Sequence, residues 1–351
     1  MTITRIFCYS LFCWCVLGSA SLEAQPGSRL FGYVTFRNVK MTAMAMKSDA
    51  KIAMLGFSTG HIAVFDPLPG RFIQYELFMA HNKGVTAADI SPDDKWIATA
   101  GNDGIIKIWD LQAAYKFQLE GQNRKEGAPK PIEPTPKLVI KDAHKKGINS
   151  VVFHRDGALL ASGGSDGLVK IWSLEMGKLQ TTIEAHKLGI NTLAYAPDGS
   201  ALASASDDKT FKVWNLADPT KPQFVSPEHQ GPVLAVIFSP DGKSLASGSG
   251  EAKKTGQLQV WNIEKNKLAY SLSDLLGEPV STISFHPKLA RLAASGLDKK
   301  IRVWNLTTKK ILYVDEHGEP IVKISYSGNG NVLGSISANE GKWWNANPKL
   351  K

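Results

Sequence analysis

Apolar residues in this chain fall in short runs, each bounded by Gly, Asp, Asn, Ser or Lys. Between Lys137 and Ser173 the runs are Leu138 to Ile140, Ile148 to Phe153, Ala158 to Ser162 and Leu168 to Trp172. Runs this short, rich in Val and Ile and closed by turn residues, predict four strands rather than one helix. The turns have a mechanism of their own. Arg155-Asp156-Gly157 and Ser165-Asp166-Gly167 each supply an Asp that can bond its own backbone and a Gly that tolerates positive φ. Four strands joined in this way make one small antiparallel sheet, which has two faces to cover and cannot bury both alone, so copies must stack.

The closing aromatic-polar pair recurs. Trp172-Ser173 has counterparts at Phe65-Asp66, Trp109-Asp110, Trp214-Asn215, Trp261-Asn262, Trp304-Asn305 and Trp344-Asn345. Successive aromatics are 44, 63, 42, 47, 43 and 40 residues apart. All but one interval lie near a period of roughly 40 to 45 residues. The approach to the aromatic repeats as well, in KIWD, KIWS, KVWN and RVWN. With His144 ahead of it, Asp166 in its turn and Trp172-Ser173 at its end, the unit resembles the WD-repeat β-propeller family. That resemblance implies an all-β fold over residues 29–346, a seven-bladed propeller of four-stranded antiparallel blades in a single domain.

Closure of the ring follows from the ends of the repeat array. RLFGYVTFRN, residues 29–38, alternates apolar and polar positions and reads as an isolated strand. After Trp344-Asn345 too few residues remain to build a fourth strand for blade seven. The N-terminal strand is expected to complete that blade, which removes two exposed edges at once. The one long interval contains residues 111–137, an insertion between the third and fourth strands of blade two on the bottom face. Pro131, Pro134 and Pro136 with Lys125, Lys130 and Lys137 predict a solvated, irregular excursion there. A tolerated insertion is the simpler reading, a partner-binding loop the other. Glu251 to Gly256 lengthens the hairpin of blade five on the opposite face.

The resemblance also assigns a hydrogen-bonded chain to each blade: a His before the first strand, a Ser or Thr on the second, an Asp in the next turn and the Trp. A buried indole N–H needs an acceptor, and hydroxyl, imidazole and carboxylate pass that demand outward. The matching residues are His81, Thr99, Asp103 and Trp109 in blade two, His144, Ser162, Asp166 and Trp172 in blade three, and His186, Ser204, Asp208 and Trp214 in blade four. Blade five keeps His229, Ser247 and Trp261 with Thr255 at the Asp position. Blade six keeps Asp298 and Trp304, with Gly277 for His and Ala294 for Ser. Blade seven is expected to retain His317 and Trp344 and little else, and blade one has Phe65 and no such His. Blades two to four should therefore be the rigid part of the ring.

Because these His–Asp pairs recur with the repeat, they read as structural and no catalytic residue is assigned. The histidines show no short pairing that would hold a metal, and no cofactor is expected. Gly163-Gly164-Ser165-Asp166-Gly167 satisfies G-x-S-x-G, but a nucleophile elbow needs a strand followed by a helix, and both flanks here are strand-like.

Composition changes the picture in two places. The chain has 351 residues, 43% hydrophobic and 21% charged, which excludes disorder or a fibre as its main state. Its net charge of +9 comes mostly from Lys, while Arg, suited to bidentate phosphate recognition, is scarce, so no specific nucleic acid is expected. The three cysteines, Cys8, Cys13 and Cys15, all lie in residues 1–24, where Arg5 precedes an apolar run from Ile6 to Leu17 and then small residues. That run is short for a membrane span and fits a secretory signal peptide cleaved after Ala20 or Ala24, with no lipobox. The expectation is a thiol-free, secreted or periplasmic protein with no stable membrane insertion, ending in a short tail over residues 347–351.

By the resemblance, the loops entering each blade and the hairpins between second and third strands share the top face. Lys83, Lys145, Lys146 and Lys187 from the loops, with Lys253 and Lys254 from a hairpin, make that face cationic; Glu278 and Glu319 mark an acidic side. The leading reading is an exported, non-enzymatic, monomeric scaffold for protein partners, acidic ones if this face decides. The alternatives are an enzyme or small-ligand binder using the central channel, where Asp89 and Lys323 are the main charges, and a polyanion binder driven by charge.

Overall fold

The computed structural model describes residues 30–36, 39–67, 77–124, 128–272 and 277–346. The expected leader over 1–24, the tail over 347–351 and Lys125 lie outside the described residues. The chain forms seven four-stranded antiparallel sheets arranged as the blades of one propeller. Six blades use consecutive strands. The seventh takes its outer strand from Leu30–Thr35, which lies antiparallel to Glu340–Asn345 with Thr35 opposite Glu340 and Leu30 opposite Trp344.

The apolar core is divided among the seams. Each core cluster is shared by two neighbouring blades, as where Trp172 and Ile148 of blade three pack with Ile106 and Ile108 of blade two. The next cluster joins Trp214 of blade four to Ile171 and Ile183 of blade three. Every marker Trp is buried against the preceding blade, and Phe65 does the same at the closing seam, edge-on to Trp343 at 5.4 Å. A single blade would leave one apolar face in water, so the ring gains its stability as neighbours stack.

A second set of contacts pins the seams near the axis. In blades one to four and in blade six, the second residue of the innermost strand donates its side chain to the carbonyl of the first residue in the next blade. Thr42 reaches Val85, Thr86 reaches Ile148, Asn149 reaches Ile190 at 2.8 Å, Asn191 reaches Val233 at 3.0 Å and Ser281 reaches Ile321 at 3.3 Å. Leu234 in blade five and Val322 in blade seven hold this position without a donor. The closing seam is tied elsewhere, by Asn329 Nδ2 donating to Asp49 O at 3.2 Å and Met41 N to Ala338 O at 2.7 Å.

The insertion in blade two departs from its expected irregular course. Its first half is a helix, α1 (Leu111–Gln122), and Asp110, the polar member of the Trp109-Asp110 pair, is its N-cap, accepting from Ala113 N at 2.9 Å. Leu111, Ala114 and Phe117 are buried in the core between blades one and two. Phe117 meets Phe78 edge-on at 5.6 Å, beside a blade-one outer strand of only two residues, Phe78–Met79. The second half, residues 128–137, has neither helix nor strand and is largely exposed, the irregular course expected of the whole insertion.

Candidate functional site

The three sets of four residues expected to form chains lie together. In blade three, His144 Nδ1 is 2.9 Å from Asp166 Oδ1, Nε2 is 2.8 Å from Ser162 Oγ, and Trp172 Nε1 donates to the same Oγ at 2.9 Å. Blade two repeats this with His81, Asp103, Thr99 and Trp109 at 3.1, 2.9 and 2.9 Å. Blade four does so with His186, Asp208, Ser204 and Trp214 at 2.9, 2.8 and 3.0 Å.

Burial holds all three imidazoles below their ordinary pKa, against the opposing pull of the Asp. A neutral ring fixes the direction of the chain. Trp N–H donates to Oγ, the hydroxyl donates to Nε2, and Nδ1–H donates to the carboxylate. Neither ring nitrogen is left free for a substrate. The close approach also explains a glycine: a Cβ on Gly164 would fall 2.3 Å from His144 Nδ1. The G-x-S-x-G sequence that contains it is a hairpin between Leu159–Gly164 and Leu168–Ser173, with no helix after it.

Blade seven keeps more of the chain than the expected His317 and Trp344. His317 Nε2 is 2.7 Å from Ser335 Oγ, Trp344 Nε1 donates to that Oγ at 2.8 Å, and Glu340 stands near the place of the Asp but 3.6 Å from Nδ1, too far for the hydrogen bond the Asp makes. The signal was the separation: His and hydroxyl are 18 residues apart in blades two, three, four, five and seven alike. In blade five, His229 Nδ1 faces Lys209 O at 3.3 Å where the Asp is missing. In blade six, Asp298 pairs with Arg302 in the absence of a His. The lysines ahead of the Trp residues are also tied down. Lys170 and Lys212 donate to Ala143 O and Ala185 O, both at 2.6 Å, with their ammonium groups 5.8 Å from the centres of Trp172 and Trp214.

On the top face, each hairpin corner abuts the loop entering the next blade. His81 N donates to Gly60 O, His186 N to Gly167 O, His229 N to Lys209 O and His317 N to Lys299 O. Gly60, Gly104 and Gly167 have positive φ at this corner, and so do Lys209 and Lys299, at 67° and 65°. A left-handed Lys costs roughly 1 kcal/mol relative to Gly, so a bare turn would be better served by Gly.

Lys83, Lys145, Lys146, Lys187 and Lys253 are exposed, and among the described residues none is held in an ion pair. Lys254 pairs with Glu251 at 2.6 Å. The two acidic residues are engaged: Glu278 accepts from Lys253 N at 3.0 Å, and Glu319 accepts from Asn339 Nδ2 at 2.9 Å. The exposed lysines thus lie over blades two to five, and Glu278 and Glu319 are already bonded.

In the channel, Asp89 Oδ2 accepts from Phe153 N of the next blade at 2.8 Å. Burial raises its pKa to about 6, and burial likewise lowers that of Lys323. Ser284 makes the corresponding bond to Tyr326 N at 3.0 Å, so Asp89 performs a seam contact that a serine performs elsewhere. Among the described residues no group of three or more His, Cys, Asp or Glu could hold a metal ion, and no helix is long and apolar enough to cross a membrane.

Seven blades, each pinned to the next through a buried aromatic and most carrying the His–hydroxyl–Trp chain, define a WD-repeat propeller. The chain belongs to the WD-repeat β-propeller family. Residues 43–230 match the family model described as "Nucleolar protein 10-like, N-terminal domain", and residues 220–262 and 270–305 match "WD domain, G-beta repeat". The periodic tryptophan protein 2 homolog of Dictyostelium discoideum is 26% identical over 330 residues, 89% of this chain and 32% of that protein. The guanine nucleotide-binding protein subunit beta-like protein of Encephalitozoon cuniculi is 24% identical over 282 residues, 72% of this chain and 75% of that protein. Periodic tryptophan protein 2 of Saccharomyces cerevisiae is 32% identical over 267 residues, 76% of this chain and 26% of that protein. The chain therefore spans about a third of the first of these relatives.

Proposed function

We propose that this propeller is a non-enzymatic interaction platform that receives an acidic partner protein on its top face. The observation that carries this is the arc of exposed lysines over blades two to five, including Lys209 at a corner where glycine serves the fold better. Unpaired cations on a rigid surface attract and orient a partner of opposite charge. The non-enzymatic reading is supported by the use of every His–Asp pair within its blade, which leaves no free acid–base couple on this face. Cross-linking through the lysines, with mass spectrometry of the adducts, tests the proposal. Acidic partner peptides should join to Lys145, Lys146 and Lys187, and the adducts at the retained Lys187 should disappear in a Lys145→Glu/Lys146→Glu variant. Adducts unchanged by that charge reversal would refute it, and capture of heparin-like polymers with a steep salt dependence would favour the polyanion reading.

Export is the second part of the proposal and rests on the leader pattern of residues 1–24. The nucleolar name of the matching family model supports the other compartment. Mass spectrometry of the N-terminus in cells separates the two: cleavage after Ala20 or Ala24 is expected, and an intact leader on nuclear protein would overturn export.

A further inference from the structure

Between α1 and the outer strand of blade two, residues 128–136 read APKPIEPTP. Proline fixes its own φ at about −65° and pushes the residue before it out of the helical region, towards β or polyproline II. Every residue of this stretch except Ile132 either is a proline or precedes one. The stretch has neither helix nor strand, and none of its residues has a positive φ. Local sterics therefore favour a polyproline II course before any contact is made.

Exposure follows the three-residue period of that course. Pro131 and Pro134, three apart, are half-buried, as is Pro136 where the chain enters the outer strand. Pro129, Ile132 and Thr135, also three apart, are exposed. Ile132 is 91% exposed, and the next most exposed large hydrophobic among the described residues, Met176, is 59% exposed. The stretch lies along blade one: burial lowers the pKa of His61 and Glu133 opposes it, which sets Glu133 near the start of His61–Phe65. Ahead of it α1 is anchored by its buried side chains, and behind it Lys137 N donates to Ile108 O at 2.8 Å. Lys130 and Lys137 flank the outward edge, exposed and, among the described residues, in no ion pair.

We propose that residues 128–136 are a ligand for a proline-reading domain of a partner protein, docking Pro129 and Ile132 into its aromatic-lined groove. Three residues per turn put these two side chains on one edge about 9 Å apart. Such a groove takes a helix that is already formed, and a segment anchored at both ends loses still less freedom on binding. The same chemistry calls for carboxylates at the rim of the groove, facing Lys130 and Lys137. The inference concerns the insertion and is independent of the lysines on the top face.

A panel of isolated SH3, WW and EVH1 domains, groove types that read polyproline II, is the probe, each titrated into the labelled full chain by fluorescence anisotropy. Saturable binding by at least one domain is expected, weakened about tenfold or more by Ile132→Asp. Pro131→Gly/Pro134→Gly leaves the docking edge in place but frees the backbone, and should weaken binding about fivefold. A Gly/Ser tether in place of residues 128–136 should abolish binding while urea unfolding stays that of the parent, so that lost binding is not lost folding. The Lys145→Glu/Lys146→Glu protein should bind as the parent does, which separates failure here from failure of the top face. No binding by any domain of the panel overturns the proposal, as does binding indifferent to Ile132→Asp or undiminished by the tether. Full-strength binding by Pro131→Gly/Pro134→Gly would also overturn it, by showing that a flexible segment serves as well.

Discussion

Ser335 Oγ lies 2.7 Å from His317 Nε2, the same buried pairing that joins Ser162 to His144 in the best-preserved blade. Trp344 donates to the same oxygen, so one hydroxyl satisfies two buried ring nitrogens. Ser335→Ala strands both, and each buried polar group left without a partner costs roughly 1 to 3 kcal/mol. A loss of about 2 kcal/mol or more is expected in urea unfolding, close to that of Ser162→Ala. A loss near zero would show that blade seven does not depend on its chain.

The relationship marks where the sequence was legible and where it was not. The marker aromatics, their period and the closing N-terminal strand were readable, because a repeated apolar pattern at fixed intervals admits one architecture. Blade seven was under-read because Glu340 stands near the place of the Asp but one residue further on, which hides the motif while the 18-residue separation survives. Helix α1 was missed because Pro131, Pro134 and Pro136 colour the whole insertion, although Leu111, Ala114 and Phe117 recur every three residues behind the N-cap Asp110. The axial bonds were hidden for another reason. Thr, Asn and Ser at one strand position are unremarkable until the next blade's carbonyl is placed beside them.

The two halves of the insertion should respond differently to change. Phe117 is 5% exposed and packs on Phe78, so Phe117→Ala is expected to cost about 3 kcal/mol. Replacing residues 128–136 by a Gly/Ser tether of equal length should change stability by no more than about 0.5 kcal/mol, because those side chains are mostly in water. Thermal unfolding of both variants checks this, and a solvated excursion throughout would make both neutral.

Acid should weaken the ring. His81, His144, His186, His229 and His317 are held below the ordinary imidazole pKa, with burial the largest cause, and Lys342 helps bring His317 to about 4. The unfolded chain takes up protons near pH 6.5 that the folded chain refuses. Stability is therefore full above that pH and falls as pH drops towards the folded values. His317 alone accounts for about 3 kcal/mol between pH 7 and 4. Asp89 has the opposite sign, since its pKa is raised to about 6 and the folded state gains as it protonates. Urea midpoints from pH 7 to 4 should fall, and fall less steeply in His317→Gln. An equal slope in that variant would remove His317 from the account.

The axial bonds predict where the ring opens. Four consecutive seams from blade one to blade five carry a side-chain donor, the seam between blades six and seven carries another, and Leu234 interrupts the series. Blades one to five should therefore exchange amide hydrogens as one slow unit, with faster exchange where Val233–Phe238 faces Val280–Phe285. Leu234→Asn supplies the missing donor at the position where Asn149 and Asn191 already serve. Its amide would reach Val280 O, adding about 1 kcal/mol and slowing exchange at this seam. Exchange that is uniform around the ring, or unaltered by Leu234→Asn, would show that apolar packing alone sets the strength of each seam.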